Sequence, residues 1–276
     1  MQIRVLLQQA TAALAQSTSP RLDIEIILCH CLKVPRSYLY MYPEQELPSS
    51  ILVEFQALLS KRQQGYPIAY LIGQREFWSL NLMVTPATLI PRPETELLVD
   101  LALAKIPPEM EFSIADLGTG SGAIALAIAK ERPQVMVYGV DKSLAALEVA
   151  KLNAKHLQIS NVIFIAADWL TAFAPATFDL VVSNPPYLAE QDPHLAEGDI
   201  RFEPAMALVA GHDGLQDYRI LIKQAKSILK PEGKLLFEHG YQQAESIASL
   251  LTEQGYSAIS AYRDLADKPR VISAEK

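Results

Sequence analysis

Asn184-Pro185-Pro186-Tyr187 places a hydrogen-bonding amide, two imino acids and a phenol ring at the end of an apolar run. Adjacent prolines lack N–H donors and have constrained backbones. They hold the Asn184 side chain and the Pro185 carbonyl in fixed directions, and two acceptors so held suit one chemical problem. An –NH2 on an amide or a heterocycle is a poor nucleophile because its lone pair is delocalised. If the Asn184 oxygen takes one of its hydrogens and the Pro185 carbonyl the other, the lone pair turns toward an electrophile and the nitrogen can pyramidalise as charge develops. Tyr187 can cover the planar group by stacking. Asn184, Pro185 and Tyr187 are therefore candidate catalytic residues, and Asn184, Pro185, Pro186 and Tyr187 together a candidate substrate site. The competing reading is a turn whose tyrosine is core. The four residues do not choose between an adenine amino group and a glutamine amide.

A second constellation lies upstream. Asp116-Leu-Gly118-Thr119-Gly120-Ser121-Gly122-Ala123 sits where a strand gives way to a helix. Its glycines permit a tight turn and close approach of a ligand to free helix N–H groups. Gly118, Gly120 and Ala123 also satisfy a dinucleotide fingerprint, so this loop serves a nicotinamide cofactor or S-adenosylmethionine equally. Asp141, at the end of the next strand, can accept both hydroxyls of a ribose; its bland alternative is a helix N-cap for the segment from Lys142. Asp168 can accept from an adenine amino group and Trp169 offers it a flat apolar face, unless Trp169 only fills a seam. Candidate cofactor contacts are thus Gly118, Thr119, Gly120, Ser121, Gly122, Asp141, Asp168, Trp169 and Asn184. A nicotinamide oxidoreductase would leave Asn184–Tyr187 unexplained, and a non-catalytic binding module would be expected to have lost Asp141 or Asn184.

Periodicity supplies the elements that must position these groups. Residues 1–16 carry Ile3, Leu6, Leu7, Ala10 and Leu14 at helical spacing. Ser19-Pro20 reads as an N-cap and first turn, opening a helix that Pro35 ends. Another helix runs from Ser49 or Ser50 to Gly65. Leu80, Leu82 and Val84 alternate within 76–85, as in one strand of a hairpin. From residue 111, strands at 112–116, 135–141, 162–166, 178–183 and 234–238 alternate with helices at 120–130, 144–156, 218–229 and 243–254. Such alternation predicts a parallel, doubly wound α/β sheet, in which the strand ends carrying Gly118 and Asn184 face one crevice.

Composition narrows the class. The chain has 276 residues, half of them hydrophobic, and a net charge of −7. The first 75 residues hold seven Lys/Arg against five Asp/Glu, the remainder 17 against 26. An acidic catalytic part without an inserted basic module argues against a nucleic-acid substrate, for which a base would also have to be flipped out. Cys29 and Cys31, the two cysteines, flank His30 and point apart on a helix. They read as buried, reduced thiols of a cytoplasmic protein rather than a metal site. No apolar run approaches the ~18 residues of a membrane span, and the N-terminus does not read as a signal peptide.

With both motifs in view, the chain resembles the HemK/PrmC family of peptide chain release factor glutamine methyltransferases. The resemblance is carried by Pro91-Arg92-Pro93-Glu94-Thr95-Glu96-Leu97-Leu98, Asp116 to Leu126, Asn184 to Tyr187, Glu203-Pro204, Gly211-His-Asp213-Gly214-Leu215 with Tyr218-Arg219, and Glu238-His239-Gly240. It implies a class I (Rossmann-like) S-adenosylmethionine-dependent methyltransferase domain over 91–276, with a small all-α substrate-recognition domain over 1–72 joined by a β-hairpin linker over 73–90. It also implies S-adenosylmethionine as donor, no metal, and a monomer. The partners implied are class-1 release factors, methylated on the glutamine of their Gly-Gly-Gln motif, with neither nucleic acid nor membrane; a ribosomal-protein glutamine or an exocyclic amine of DNA or RNA is the alternative substrate. At Asp267-Lys268 the family usually shows Gly-Arg, which puts the geometry of that turn in question.

Overall fold

The structure is a computed structural model describing residues 1–15, 17–107 and 111–276. Gln16, the end of the first expected helical span, lies outside the described residues. The chain divides into two compact units, one of Met1–Gln74 with Gly198–Phe202, the other of Arg75–Glu197 with Glu203–Lys276.

The first unit is helical: α1 (Ile3–Ala13), α2 (Pro20–Leu32), α3 (Arg36–Met41), α4 (Ser49–Gln63) and α5 (Ile68–Ile72). Ile3, Leu7, Ile24, Ile27, Leu28, Leu39 and Phe55 are buried together as its core. Several expectations need correcting. Ser19 stands at the N-cap of α2 and Pro20 opens its first turn, as expected, but the Ser19 side chain makes no capping bond; its hydroxyl donates to Asp23, which also accepts from Ser17 and Arg62. The buried carboxylate of Asp23 offers that hydroxyl a charged acceptor, which outweighs a neutral cap bond. Lys33, in the left-handed region, ends α2, and Pro35 instead begins α3 as its N-cap. Cys31 is buried but Cys29 is only half-buried; both are free. Glu25 is buried at 0% exposure. Burial pushes its carboxyl up, but hydrogen bonds from Tyr40, Arg36 and Arg21 outweigh burial and hold it below its usual range.

β1 (Gln74–Phe77) and β2 (Leu80–Met83) form a two-stranded sheet. The run expected to be one strand is a hairpin folded on itself at Trp78-Ser79, both with positive φ. Such a left-handed pair matches strand twist, but Asn-Gly is its usual sequence, so Trp-Ser hides it. Beyond it lie a 3-10 turn at Pro93–Thr95, α6 (Glu96–Lys105), β3 (Ser113–Leu117), α7 (Ala123–Glu131), β4 (Met136–Asp141), α8 (Leu144–His156), β5 (Val162–Ala166), β6 (Phe178–Ser183), α9 (Gln216–Ile228), β7 (Leu229–Glu238), α10 (Ala244–Glu253), β8 (Ser257–Arg263) and β9 (Pro269–Glu275).

β3 to β9 make one sheet in the order β5-β4-β3-β6-β7-β9-β8. The first five strands are parallel, as alternation of strand and helix requires. β9 runs antiparallel to β7 and to β8, so the expected all-parallel sheet is mixed. The last two strands follow one another without a helix, and a short connection can only reverse direction. Successive residues serve opposite faces. Ile114, Leu180, Val182 and Leu236 pack with α6 and α7, while Ala115, Val181, Leu235 and Phe237 pack with α9 and α10.

One buried side chain ties three parts of this unit. Asn153 of α8 accepts from the Met83 N–H at 2.7 Å and donates to the Met83 and Ser121 carbonyls at 3.0 and 2.9 Å. Asn153→Ala strands those groups, and each buried polar group left unmade costs ~1–3 kcal/mol. A loss of roughly 2–4 kcal/mol in urea unfolding is expected.

Candidate active site

The strand order turns back at β3, whose neighbours are β4 and β6, and a crevice opens beyond the carboxyl ends of strands at such a point. β3 and β6 end in register, Leu117 beside Ser183, and the Ser183 hydroxyl donates to the Leu117 carbonyl at 2.7 Å. The glycine loop and Asn184 therefore leave adjacent strands at the same end. A cavity of about 320 Å³ occupies the place, within the size range of small-molecule sites.

Gly118, Gly120, Asp141, Asp168, Trp169, Asn184 and Pro186 line that cavity. Thr119, Ser121, Gly122, Pro185 and Tyr187, also expected at the site, are absent from its wall. Thr119 is buried and donates to Asp116 at 2.6 Å. Ser121 offers its carbonyl to Asn153, and Gly122 is the N-cap residue of α7. These three shape the loop from behind. Tyr187 packs on the core face shared with α9 and α10. Its hydroxyl is pushed up to about 12, first by burial and then by the charge of Glu238. Tyr187 N–H bonds to the Leu208 carbonyl, and its own carbonyl accepts from Gln243 at 3.0 Å.

Each wall residue is held by specific bonds. Gly120 has φ +56°, and a Cβ there would meet only the Gly118 carbonyl, at an ordinary 3.9 Å. Its N–H donates to Asp141 Oδ2 at 2.9 Å, while Asp141 Oδ1 accepts from Ser143 N–H at 2.8 Å. A carboxylate has about four lone-pair directions, so Asp141 keeps acceptor capacity for a diol. The cap of α8 belongs to Ser143, whose hydroxyl accepts from Ala146. The Trp169 ring lies over Gly118, where an added Cβ would meet it at 3.5 Å. Trp169 also hydrogen-bonds Asp217, whose carboxyl is raised by burial and then by Asp168. Asp168 itself is exposed, with Lys142 at 3.8 Å.

Sequence reasoning missed Asp217, in the first turn of α9, and a second strip of wall at Ala87, Thr88, Leu89, Pro204, Met206, Ala207 and Val209. The strip lies in loops and a 3-10 turn at Ala205–Ala207, where no periodicity marks it. The acids carry chemical information. The cavity's charged residues are Asp141, Asp168 and Asp217 against Lys142 alone. A pyrophosphate would meet mostly like charge there, whereas a cationic, phosphate-free nucleoside meets opposite charge. This observation favours a sulfonium nucleoside over a dinucleotide, a choice the glycine spacing leaves open.

Residues 5–73 match the model of the PrmC N-terminal domain, and residues 109–271 that of a methyltransferase domain. The release factor glutamine methyltransferase of Escherichia coli is 47% identical over 265 residues, 96% of this chain and 95% of the relative. The chain belongs to the release factor glutamine methyltransferase family. That of Coxiella burnetii is 46% identical over 275 residues, covering 98% and 99% of the two chains. A solved methyltransferase from Pyrococcus furiosus matches with a TM-score of 0.55 at 16% identity, over 80% of this chain and 97% of the other; it shows the fold alone.

The structure explains what several motifs linking the chain to this family do. In the Pro91-to-Leu98 motif, Arg92 pairs with buried Glu203, which also accepts from the Ile90 N–H. Thr95 accepts from the Asn184 side-chain amide at 3.2 Å. Gly214, at φ +71°, lies so close to the Tyr187 carbonyl that a Cβ there would stand 2.4 Å from it. Asp267 takes a left-handed φ of 58°, which glycine adopts freely and aspartate tolerates. Asp264 closes the same turn by accepting from the Ala266 and Lys268 N–H groups.

Behind the glycine loop, Asp116 is fully buried. It accepts from Thr119 and from the Ala125 N–H, and its Oδ1 has no partner among the described residues. Burial pushes its carboxyl up to about 7. A carboxyl that binds its proton more tightly when folded loses stability as pH rises from its unfolded value, near 4, to about 7. Asp116→Asn removes that contribution. The stability of the variant relative to the parent is expected to climb between pH 4 and 7 and then level, measured by denaturant unfolding across that range.

Proposed function

We propose that this chain transfers a methyl group from S-adenosylmethionine to the side-chain amide nitrogen of the glutamine in the Gly-Gly-Gln motif of class-1 peptide chain release factors. The observation that carries the reading is 47% identity over 96% of the chain to a release factor glutamine methyltransferase. The orientation of the Asn184 amide supports it chemically. With its nitrogen given to Thr95, its oxygen remains to accept from a substrate –NH2. The Pro185 carbonyl takes the second hydrogen, and Tyr187 covers the amide plane from outside the cofactor cavity. Asp141 holds the ribose, Gly118 and Gly120 let the nucleoside approach the backbone, and Asp168 and Trp169 receive the adenine. S-adenosylmethionine supplies a methyl already activated on sulfur, so the residues of this chain orient the amide and need no strong base. A neutral asparagine suits that task because it accepts without a titrating charge.

The same reading gives residues 1–72 the task of recognising the release factor, supported by the match of 5–73 to the PrmC N-terminal domain. It places residues 73–90 as the linker and 91–276 as the catalytic domain, in a monomer working in the cytoplasm. No helix among the described residues is long and apolar enough to cross a membrane.

Mass spectrometry of a release-factor digest after incubation with enzyme and donor should find one added methyl on the Gly-Gly-Gln peptide; an unmodified peptide sinks the proposal. Asn184→Ala is expected to lower turnover by about 100- to 1,000-fold, as for loss of a transition-state hydrogen bond, while S-adenosylhomocysteine still binds in calorimetry. Deleting residues 1–72 should impair release-factor turnover more than S-adenosylhomocysteine affinity, and unchanged turnover would refute the recognition role.

A further inference from the structure

We propose that Thr95 and Glu238 are positioning residues that decide which end of the Asn184 amide faces the substrate. The inference rests on the methyl-transfer reading above and deepens it.

An asparagine amide presents an acceptor on one side and donors on the other. Only the acceptor can take a hydrogen from a substrate –NH2. The amide must therefore be prevented from turning over, and a threonine hydroxyl alone cannot prevent this, because it donates and accepts equally well. Glu238 supplies the direction. It stands at the end of β7, wholly buried, and hydrogen-bonds Thr95. An ionised carboxylate accepts only, so it takes the single proton of the Thr95 hydroxyl. Thr95 then meets Asn184 with a lone pair, at 3.2 Å from Nδ2. The amide nitrogen is drawn toward Thr95 and the oxygen is left for the substrate. Carboxylate, hydroxyl and amide form a line of hydrogen bonds with one polarity.

Protonation reverses the line. A neutral Glu238 can donate to Thr95, which frees the hydroxyl proton to bond the Asn184 oxygen. The amide turns over and sets N–H against the substrate N–H groups. Several groups bear on the Glu238 charge. Burial raises its carboxyl to about 7; Thr95, Arg270 and Arg92 act to lower it, and Glu94 to raise it. Tyr187 and Tyr218 also face it, both with hydroxyls held neutral by burial. The Tyr218 hydroxyl donates to the Glu238 backbone carbonyl at 2.6 Å. His239, the next residue, is itself pushed down by burial. Glu238 Oε2 has no hydrogen-bond partner among the described residues, so no second hydrogen bond there fixes its ionisation state.

The test uses the full-length enzyme with a release factor as substrate. Turnover at saturating donor is measured for the wild type, Thr95→Val, Thr95→Ser and Glu238→Gln between pH 5.5 and 9, beside S-adenosylhomocysteine affinity. Thr95→Val is expected to lower kcat at least about ten-fold with cofactor affinity unchanged, and Thr95→Ser to restore it, since serine keeps the hydroxyl. In the wild type, kcat should fall about ten-fold per pH unit below pH 7, as Glu238 gains its proton. Glu238→Gln, which cannot titrate, should lose that limb. A Thr95→Val enzyme with wild-type kcat, or a Glu238→Gln enzyme that keeps the acid limb, overturns the proposal. Should Glu238→Gln fail to fold, the contrast between Thr95→Val and Thr95→Ser decides alone. A wild-type enzyme that leaves the release factor unmethylated defeats the underlying reading instead.

Discussion

Two parallel strands end side by side, β3 at Leu117 and β6 at Ser183, tied by the bond from the Ser183 hydroxyl to the Leu117 carbonyl. Each releases a motif that is chemically incomplete. In the proposed reaction the glycine loop would seat the nucleoside and lacks a group to orient a substrate, while Asn184 would orient the substrate amide and depends on the neighbouring loop to bring the donor. Their adjacency makes the distance between donor and acceptor a property of sheet register, and register is among the most tightly specified quantities in a buried sheet.

Around this pair the molecule spends much of its polar chemistry on holding rather than reacting. Asn153 joins the hairpin to the glycine loop. Asp141 braces Gly120 and Ser143 while still facing the cavity. Arg92 and Glu203 fix the Pro91-to-Leu98 segment that carries Thr95. Buried polar networks of this kind are costly when incomplete, and the orphaned oxygens of Asp116 and Glu238 show where the cost is borne. Both carboxyls answer it in the same way, by holding their protons more tightly.

What was legible in the sequence follows from physics that acts locally. The limits of α8, β5 and β6 coincide with the apolar periodicity, because a repeat of 3.6 or 2 is written residue by residue. The strand ends at Gly118 and Asn184 were likewise readable, since glycine and proline punctuate the chain wherever they stand. The Trp78-Ser79 turn was hidden because neither residue is typical of a left-handed pair. β8 was hidden because an edge strand with exposed, mixed side chains carries a weak pattern, and β9, which lies between β7 and β8, because its buried run from Val271 to Ala274 is too short and too mixed to announce a strand. Asp217, Met206 and Thr95 were invisible as site residues for another reason: each reaches the site through tertiary placement, from a helix start or irregular chain far away in sequence. The Pro91-to-Leu98 segment is a recognisable motif in the sequence, but its purpose lies in a tertiary contact, Thr95 against Asn184, that no local pattern encodes.

The acidic wall of the cavity bears on turnover as well as on recognition. In the proposed reaction the bound nucleoside enters carrying a sulfonium charge and leaves as a neutral thioether. Asp141, Asp168 and Asp217 do not change in that event. A site lined by carboxylates therefore grips its incoming ligand more firmly than its spent one, by the Coulomb term that vanishes with the methyl. The same charges that attract the incoming donor thus do nothing to hold back what remains of it after transfer.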